Sequence, residues 1–387
     1  MSKILKKNAL NFIVLLGIVS LFADMTYEGA RSITGQYLAI LGASGTVVGV
    51  TAGLGELIGY SFRLIFGYFS DKTGKYWLIT IFGYVLNLLA VPLLALAGNW
   101  PLAASLILLE RFGKAVRSPA KDAMLSYAAK QVGQGWGFGL HEALDQIGAI
   151  LGPVIVSLVL FYRGSYQESF AILLIPAFCA LSVLVVARMQ YPRPQDLEIK
   201  TLNLKTQAFT KKYWLYIAAI SCVAAGYVDF SLIAYHFKKM DVISDEWIPI
   251  FFAIAMAADA LSALINGRLY DSKGLTVLIY VTALSALFVP LVFFNSFYVA
   301  LIGMILWGIG IGAQESIMKA VVATLVQKEK RGTAYGTLSL WFGVFWFLGS
   351  SLMGFLYDIS LPSLIIFSLG IQFAAIPILF AVKKVND

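Results

Sequence analysis

Long apolar runs follow one another along this chain, separated by short polar connections. About twelve such stretches can be marked, each near the ~20 residues a helix needs to cross roughly 30 Å of hydrocarbon. The first six cover residues 11–41, 46–69, 77–96, 101–125, 135–161 and 170–186. The second six cover 213–237, 247–270, 275–294, 297–325, 332–356 and 362–382. The pattern predicts an all-α integral membrane protein with twelve transmembrane helices. The N-terminal run has a basic start like a signal peptide, but no small-residue cleavage site follows it. It is expected to be retained as the first membrane helix.

The connections alternate in charge. One set carries Lys3, Lys6 and Lys7, then Lys72 and Lys75, Lys130, the segment 188–212, Lys273, the segment 328–331, and Lys383 with Lys384. The other set ("LGASG", "AGNW", "FNSF", "DISLPS") is almost free of basic residues, with Lys238 and Lys239 as the exception. Basic loops stay on the cytoplasmic side, so both termini are expected there. The longest polar stretch divides the chain into an N-terminal six-helix bundle (1–188), a cytoplasmic linker (189–212) and a C-terminal six-helix bundle (213–387).

Composition agrees with the pattern. Of 387 residues, 59% are hydrophobic and only 13% charged, against about a quarter charged in soluble domains. The net charge of +8 is spread over the short loops, which fits orientation in a membrane rather than nucleic-acid binding. Cys179 and Cys222 fall in apolar spans and read as packing residues. No H-E-x-x-H, phosphate loop or zinc spacing occurs, so neither catalysis nor a metal or other cofactor is expected.

The halves resemble each other. "GYFSDKTG" (Gly67, Asp71, Gly74) recurs as "GRLYDSKG" (Gly267, Asp271, Gly274), each residue displaced by 200, where the second helix of each half ends. A fainter echo pairs Gly135, Phe138 and Gly139 with Gly332, Tyr335 and Gly336. Repetition at equivalent positions marks an internal duplication.

With these motifs in view, the whole chain resembles the major facilitator superfamily of secondary transporters. Gly67, Asp71, Lys72, Gly74 and Lys75 match its loop motif G-x-x-x-D-[RK]-x-G-[RK]; the second copy has Ser272 and Leu275 where basic residues would stand. "GAILGP" (148–153) resembles the start of a motif associated with antiporters, although Ile155 to Ser157 replace its further glycines. "GKAVRSPAKDAM" and "HEALDQIGAILGP" resemble a bacterial subgroup labelled drug-efflux permeases. The resemblance implies a carrier in the cytoplasmic (inner) membrane, working by alternating access on a small-molecule substrate with protons as coupling ion. Its partners would be membrane lipid, substrate and protons; a monomer is expected. Export by antiport is the leading expectation, import of a polar metabolite or metal chelate the alternative, and a membrane enzyme a remote one. The loop motif would be a gate, with Asp71 capping a helix N-terminus or pairing with a base, and Gly67 permitting close helix approach.

Charges inside the spans are the candidate chemistry, because each is costly there unless it is paired or lines water. Asp24, Glu28 and Arg31 share one face of the first span, and Glu56 and Arg63 lie on the second. The fourth carries Glu110, Arg111, Lys114 and Arg117, and the fifth His141, Glu142 and Asp145. The C-terminal half offers Asp229, His236, Asp259, Glu315 and Lys319. Six acids against five permanent bases in the N-terminal set point to mutual pairing. At a rise of 1.5 Å per residue, Glu110 lies about 14 Å and Asp145 about 16 Å along their spans, near the midplane. Arg117 and Lys121 are expected near the cytoplasmic surface, where they can snorkel. Asp24, Glu110 and Asp145 either face a water-filled cavity or form a structural ion-pair network. His141 and Asp145, four residues apart, suit a proton relay or a satisfied structural pair. Gly148, Gly152 and Pro153 make a small-residue face and kink, expected to let helix five approach its opposite number and flex. Trp307, Trp341, Trp346, Phe342 and Phe345 form either an aromatic cavity wall or core packing.

Overall fold

A computed structural model describes residues 3–193, 209–326 and 331–384. Part of the linker (194–208, including Lys205) and residues 327–330 lie outside the described residues. The described secondary structure is helical. The helices are α1 Lys3–Ile40, α2 Gly45–Thr73, α3 Tyr76–Leu93, α4 Trp100–Val132, α5 Gln134–Arg163, α6 Tyr166–Ile172 and α7 Leu174–Gln190. They continue with α8 Lys211–Gly226, α9 Phe230–Lys239, α10 Trp247–Lys273, α11 Thr276–Ala286, α12 Phe288–Val292, α13 Phe297–Leu325, α14 Arg331–Ile359 and α15 Leu361–Lys384.

These helices make twelve crossings because α6 with α7, α8 with α9, and α11 with α12 are each one span with a break. Among the described residues, nine spans are long and apolar enough to cross a membrane, and 276–292 is a shorter apolar one. The other two, α2 and α4, are 29 and 33 residues long and carry the charges that dilute their hydropathy. Two breaks have a proline cause. Pro176 and Pro290 each sit four residues after the last residue of the preceding helix, where the ring clashes with that carbonyl and no N–H is available to bond it.

The break inside span seven has no proline. At Tyr227–Asp229 the backbone leaves the helix, and every freed group needs a partner in a medium without water. Ser368 Oγ and Gln372 Nε2 (3.0 Å) donate to the Gly226 carbonyl. Trp307 Nε1 donates to the Val228 carbonyl at 2.9 Å, and the Tyr227 hydroxyl donates to the Trp307 carbonyl. Asp229 accepts from the Ser231 N–H at 2.8 Å and so caps α9. Trp307 is buried against Tyr227, Phe230 and Phe252, and Trp346 against Tyr227 and Phe342. Of the candidate wall, Trp307 is thus core packing that holds the break, whereas Trp341 is exposed.

The chain falls into two compact units, Met1–Ile33 with Ser61–Thr201, and Thr34–Tyr60 with Leu202–Asp387. In the second, the α1 end and first half of α2 pack on α9 and α14. A Cβ at Gly35 or Gly49 would overlap the carbonyl of Ser231 or Ser350. Asp358 caps the α2 N-terminus, accepting from the N–H groups of Gly45 (2.8 Å) and Thr46 (2.7 Å) and from the Thr46 hydroxyl (2.6 Å).

The duplication is visible in backbone geometry. Gly74 and Gly274 end α2 and α10 at φ +65° and +59°, a region where only glycine is unstrained. Each donates its N–H at 2.8 Å to the carbonyl four residues earlier.

Candidate functional site

The charges of α1, α4 and α5 converge within the first unit. Glu28 Oε1 lies 3.7 Å from Lys114 Nζ, and its Oε2 lies 3.9 Å from Arg31. Glu110 Oε2 lies 3.4 Å from Arg111 Nε. Asn87 Nδ2 on α3 donates to Glu110 Oε1 at 2.7 Å and to its carbonyl at 3.1 Å. Lys114 Nζ also sits 3.9 Å from the centre of the Tyr27 ring. Asp24 is buried within electrostatic reach of Asp145, Lys114 and Arg117. The three charges on one face of α1 are therefore turned inward, where they find partners.

A second group adjoins it. His141 Nδ1 is 3.3 Å from Asp145 Oδ2. On the other side of the ring, His141 Nε2 is 3.0 Å from Ser20 Oγ and 3.4 Å from Lys121 Nζ. Lys121 also reaches Ser20 at 3.4 Å and Asp122 at 3.6 Å. The ring is thus held between a base and a hydroxyl at Nε2 and an acid at Nδ1. Asp145 Oδ1 is buried without a hydrogen-bond partner.

Arg117 and Lys121 do not snorkel. Both are buried, Lys121 in the His141 group and Arg117 stacked on Tyr84 at 4.2 Å and Tyr27 at 5.6 Å, a use of the guanidinium face that removes it from water. Asn87, Ser20, Tyr27 and Tyr84 carry no charge, and none stands out in the sequence. Their only sequence signal is polarity at helical spacing inside apolar runs.

Other predicted residues lie elsewhere. Glu142 and Glu315 are exposed, Glu56 is half-buried in the second unit, and Asp229 is the α9 cap. The Lys319 side chain lies outside the described residues. In the loop motif, Lys72 and Lys75 are exposed, and Asp71 Oδ1 accepts from the Tyr76 hydroxyl at 3.3 Å, which in turn accepts from Tyr127 at 3.0 Å. Gly67 is not a close-approach point: a Cβ there would stand an ordinary 3.6 Å from Pro119, and one at Gly267 would meet nothing within 4 Å. Asp271 lies in the last turn of α10, exposed.

Gly148 and Gly152 do mark close packing, but against α1. A Cβ at either would overlap the carbonyl oxygen of Leu21 or Met25, and at Gly148 it would also stand 3.0 Å from Asp24 Cβ. The small-residue face, one turn beyond Asp145 and ending at Pro153, thus fixes α5 directly beside the acids of α1.

Comparisons with known proteins agree with this architecture. The Major Facilitator Superfamily model matches residues 15–294 and 240–386. An uncharacterized protein of Mycobacterium tuberculosis (strain H37Rv) is 39% identical over 383 residues, 97% of this chain and 94% of its own. An uncharacterized MFS-type transporter of Methanocaldococcus jannaschii is 27% identical, covering 90% and 89%. Among solved structures, the nucleoside transporter NupG aligns with TM-score 0.77 at 14% identity, over 97% of this chain and all of that one. A bacterial homolog of the human lysosomal transporter Spinster aligns with TM-score 0.74 at 13% identity, over 100% and 98%; such likenesses carry the fold alone. With twelve helical crossings, a duplicated loop motif and a model match over nearly its whole length, the chain belongs to the Major Facilitator Superfamily and has the fold of its membrane transporters.

Proposed function

We propose that this chain is a proton-coupled secondary transporter that exports a small organic molecule across the cytoplasmic membrane by alternating access, in the manner of the drug-efflux permeases its motifs resemble. The observation that carries the reading is the convergence of Glu28, Arg31, Glu110, Arg111 and Lys114 inside their spans, the two acids buried and the three bases largely so. Charged groups at that depth are tolerated where they line water or bind cargo. The neighbouring Asp145–His141 pair supplies a group able to take up a proton. The density of charge also favours a second reading, proton-driven import of a polar metabolite or metal chelate.

The test is thermal-shift screening of the purified full chain against metabolites and drugs, since a ligand that binds only the folded state raises stability. Hits are then loaded into proteoliposomes under an imposed pH gradient. Accumulation that needs both the protein and the gradient is the expected result; ligand-independent behaviour across the panel would sink the carrier reading.

The loop motif gives a second expectation. Asp71→Asn keeps the size and the acceptor for Tyr76 but removes the charge at the cytoplasmic end of α2. Transport by this variant should fall about tenfold, as a loss of about 1.4 kcal/mol from a gating step would produce, while the hits bind it as they bind wild type. Wild-type turnover would reduce the motif to a topogenic turn.

A further inference from the structure

Span seven breaks near its middle, and one face of α14 lies beside that break with buried polar groups left unsatisfied. Tyr227–Asp229 sits near the centre of the stretch 211–239, and Trp346 near the centre of α14. A Cβ at Gly349 would overlap the Ala225 carbonyl, so α14 runs directly against the residues leading into the break. Phe342, Trp346 and Ser350 follow at four-residue spacing and share a face. The Trp346 ring lies 5.7 Å from Tyr227 and 5.4 Å from Phe342, which in turn lies 5.3 Å from Tyr60 on α2.

Among the described residues three tryptophans are buried, and one of them differs from the others. Trp77 and Trp307 each donate Nε1–H to a backbone carbonyl at 2.9 Å, that of Tyr191 and that of Val228. Trp346 is 4% exposed, yet its buried Nε1 has no hydrogen-bond partner. The Ser350 hydroxyl, on a residue 1% exposed, is unmet as well. Ser118 and Ser316, by contrast, turn theirs back to the carbonyl four residues earlier. A buried indole N–H ordinarily finds an acceptor, and hydrocarbon offers no water as a substitute. Two unmet donors on one face, beside a discontinuous helix at mid-span, suit an acceptor brought in from outside the chain.

The neighbouring charges decide which kind of acceptor. Segments 34–60, 213–235 and 332–357 carry no base. Their acids are Glu56, one turn before Tyr60, and Asp229, which is engaged with the Ser231 N–H. An anion leaving water would find no counter-charge on these segments. A cation would offer the indole no lone pair. A neutral oxygen does, and the rings of Phe342, Trp346 and Tyr227 suit a flat apolar body beside it.

From the unmet donors and this charge pattern, we propose that this face of α14 is a subsite for a neutral aromatic carbonyl group. Its oxygen accepts from Trp346 Nε1, with Ser350 Oγ as the second donor, and its ring lies against Phe342 and Tyr227. This rests on the transport reading above and names a chemical group of the cargo.

The test uses the full chain in lipid nanodiscs with four probes: benzamide, benzoate, benzylammonium and acetamide. Benzamide should raise the melting temperature, while the charged rings and the ringless amide should not. Trp346→Phe keeps a ring and removes only the donor. It should melt as wild type does without a probe, whereas Trp307→Phe, which strands the Val228 carbonyl, should melt lower. In Trp346→Phe the benzamide concentration giving half the shift should rise about fivefold to tenfold, as for one neutral hydrogen bond. If that variant fails to fold, wild type is compared with thiobenzamide, whose sulfur is the weaker acceptor; equal binding of the two overturns the assignment. So does an undiminished benzamide effect in Trp346→Phe, stabilisation by all four probes alike, a larger effect of benzoate or benzylammonium, or no effect of benzamide. Counterflow separates this from the carrier reading. If benzamide binds through Trp346 but neither it nor any screening hit exchanges, the subsite stands and the carrier reading falls. If a hit exchanges while benzamide binding ignores Trp346, the chain is a carrier and the subsite is wrong.

Discussion

Replacing Gly148 with leucine should abolish the folded protein, or lower its melting temperature more than any single charge substitution in the cluster. The obstacle is backbone: the new Cβ would overlap the Leu21 carbonyl oxygen and press on Asp24 Cβ, and neither can rotate away. Overpacking a close interface costs up to about 3 kcal/mol, and more where backbone must shift. Stabilities lie at roughly 5–15 kcal/mol in total. The matched control is Gly139→Leu on the same helix, where a Cβ meets nothing within 4 Å. It should cost little. Melting of both variants in detergent, followed by intrinsic fluorescence, checks the pair. A Gly148→Leu protein as stable as wild type would mean that α1 and α5 do not pack as closely as described.

This contact shows where the sequence is informative and where it stops. A small-residue face with Gly148 and Gly152 can be read from spacing alone, but its partner cannot. Spacing pointed to the opposite half, whereas the face packs on α1. The helices, the repeated glycine turns and the inward face of Asp24, Glu28 and Arg31 were legible because each has a local cause: an apolar run, a positive φ, or a periodicity. Arg117 and Lys121 were misplaced for an equally physical reason. Their depth was measured from an apolar run ending at residue 125, but α4 continues to Val132, so the two bases lie about 10 Å further from the helix end than the run implies. The break at Tyr227–Asp229 was hidden because its stabilisers come from far along the chain. Gly226 and Val228 carry no proline signal, and the groups satisfying their carbonyls, Ser368, Gln372 and Trp307, lie on α15 and α13. Prolines at 176 and 290 were in view, and the breaks stand four residues upstream of each. Asn87 and Ser20 were overlooked because a neutral polar residue in an apolar run gives no charge to notice.

Asp145→Asn should uncouple the transporter: gradient-driven accumulation is lost while counterflow exchange of a cargo identified by screening continues. The His141 ring is held between Lys121 and Ser20 at Nε2 and Asp145 Oδ2 at Nδ1. The open acceptor of the group is then Asp145 Oδ1, buried and without a hydrogen bond, in a position where an arriving proton gains a site that nothing else fills. Asparagine keeps the shape and an acceptor oxygen beside the ring but cannot gain or lose a proton at working pH, so each conformational cycle would proceed without a proton being carried. Lys121→Gln tests the other side of the ring. Without the ammonium, the His141–Asp145 pair loses its charged neighbour on the Nε2 side, and gradient-driven accumulation should fall more than counterflow. Accumulation against imposed pH gradients, measured beside counterflow in the same proteoliposomes, checks both. Should gradient-driven transport persist in Asp145→Asn, Asp24→Asn and Glu110→Gln alike, these acids would be structural members of the ion-pair network. Proton coupling would then have to be abandoned or assigned to Asp259 in the other unit, because Asp229 is committed to capping α9 and Glu315 is exposed.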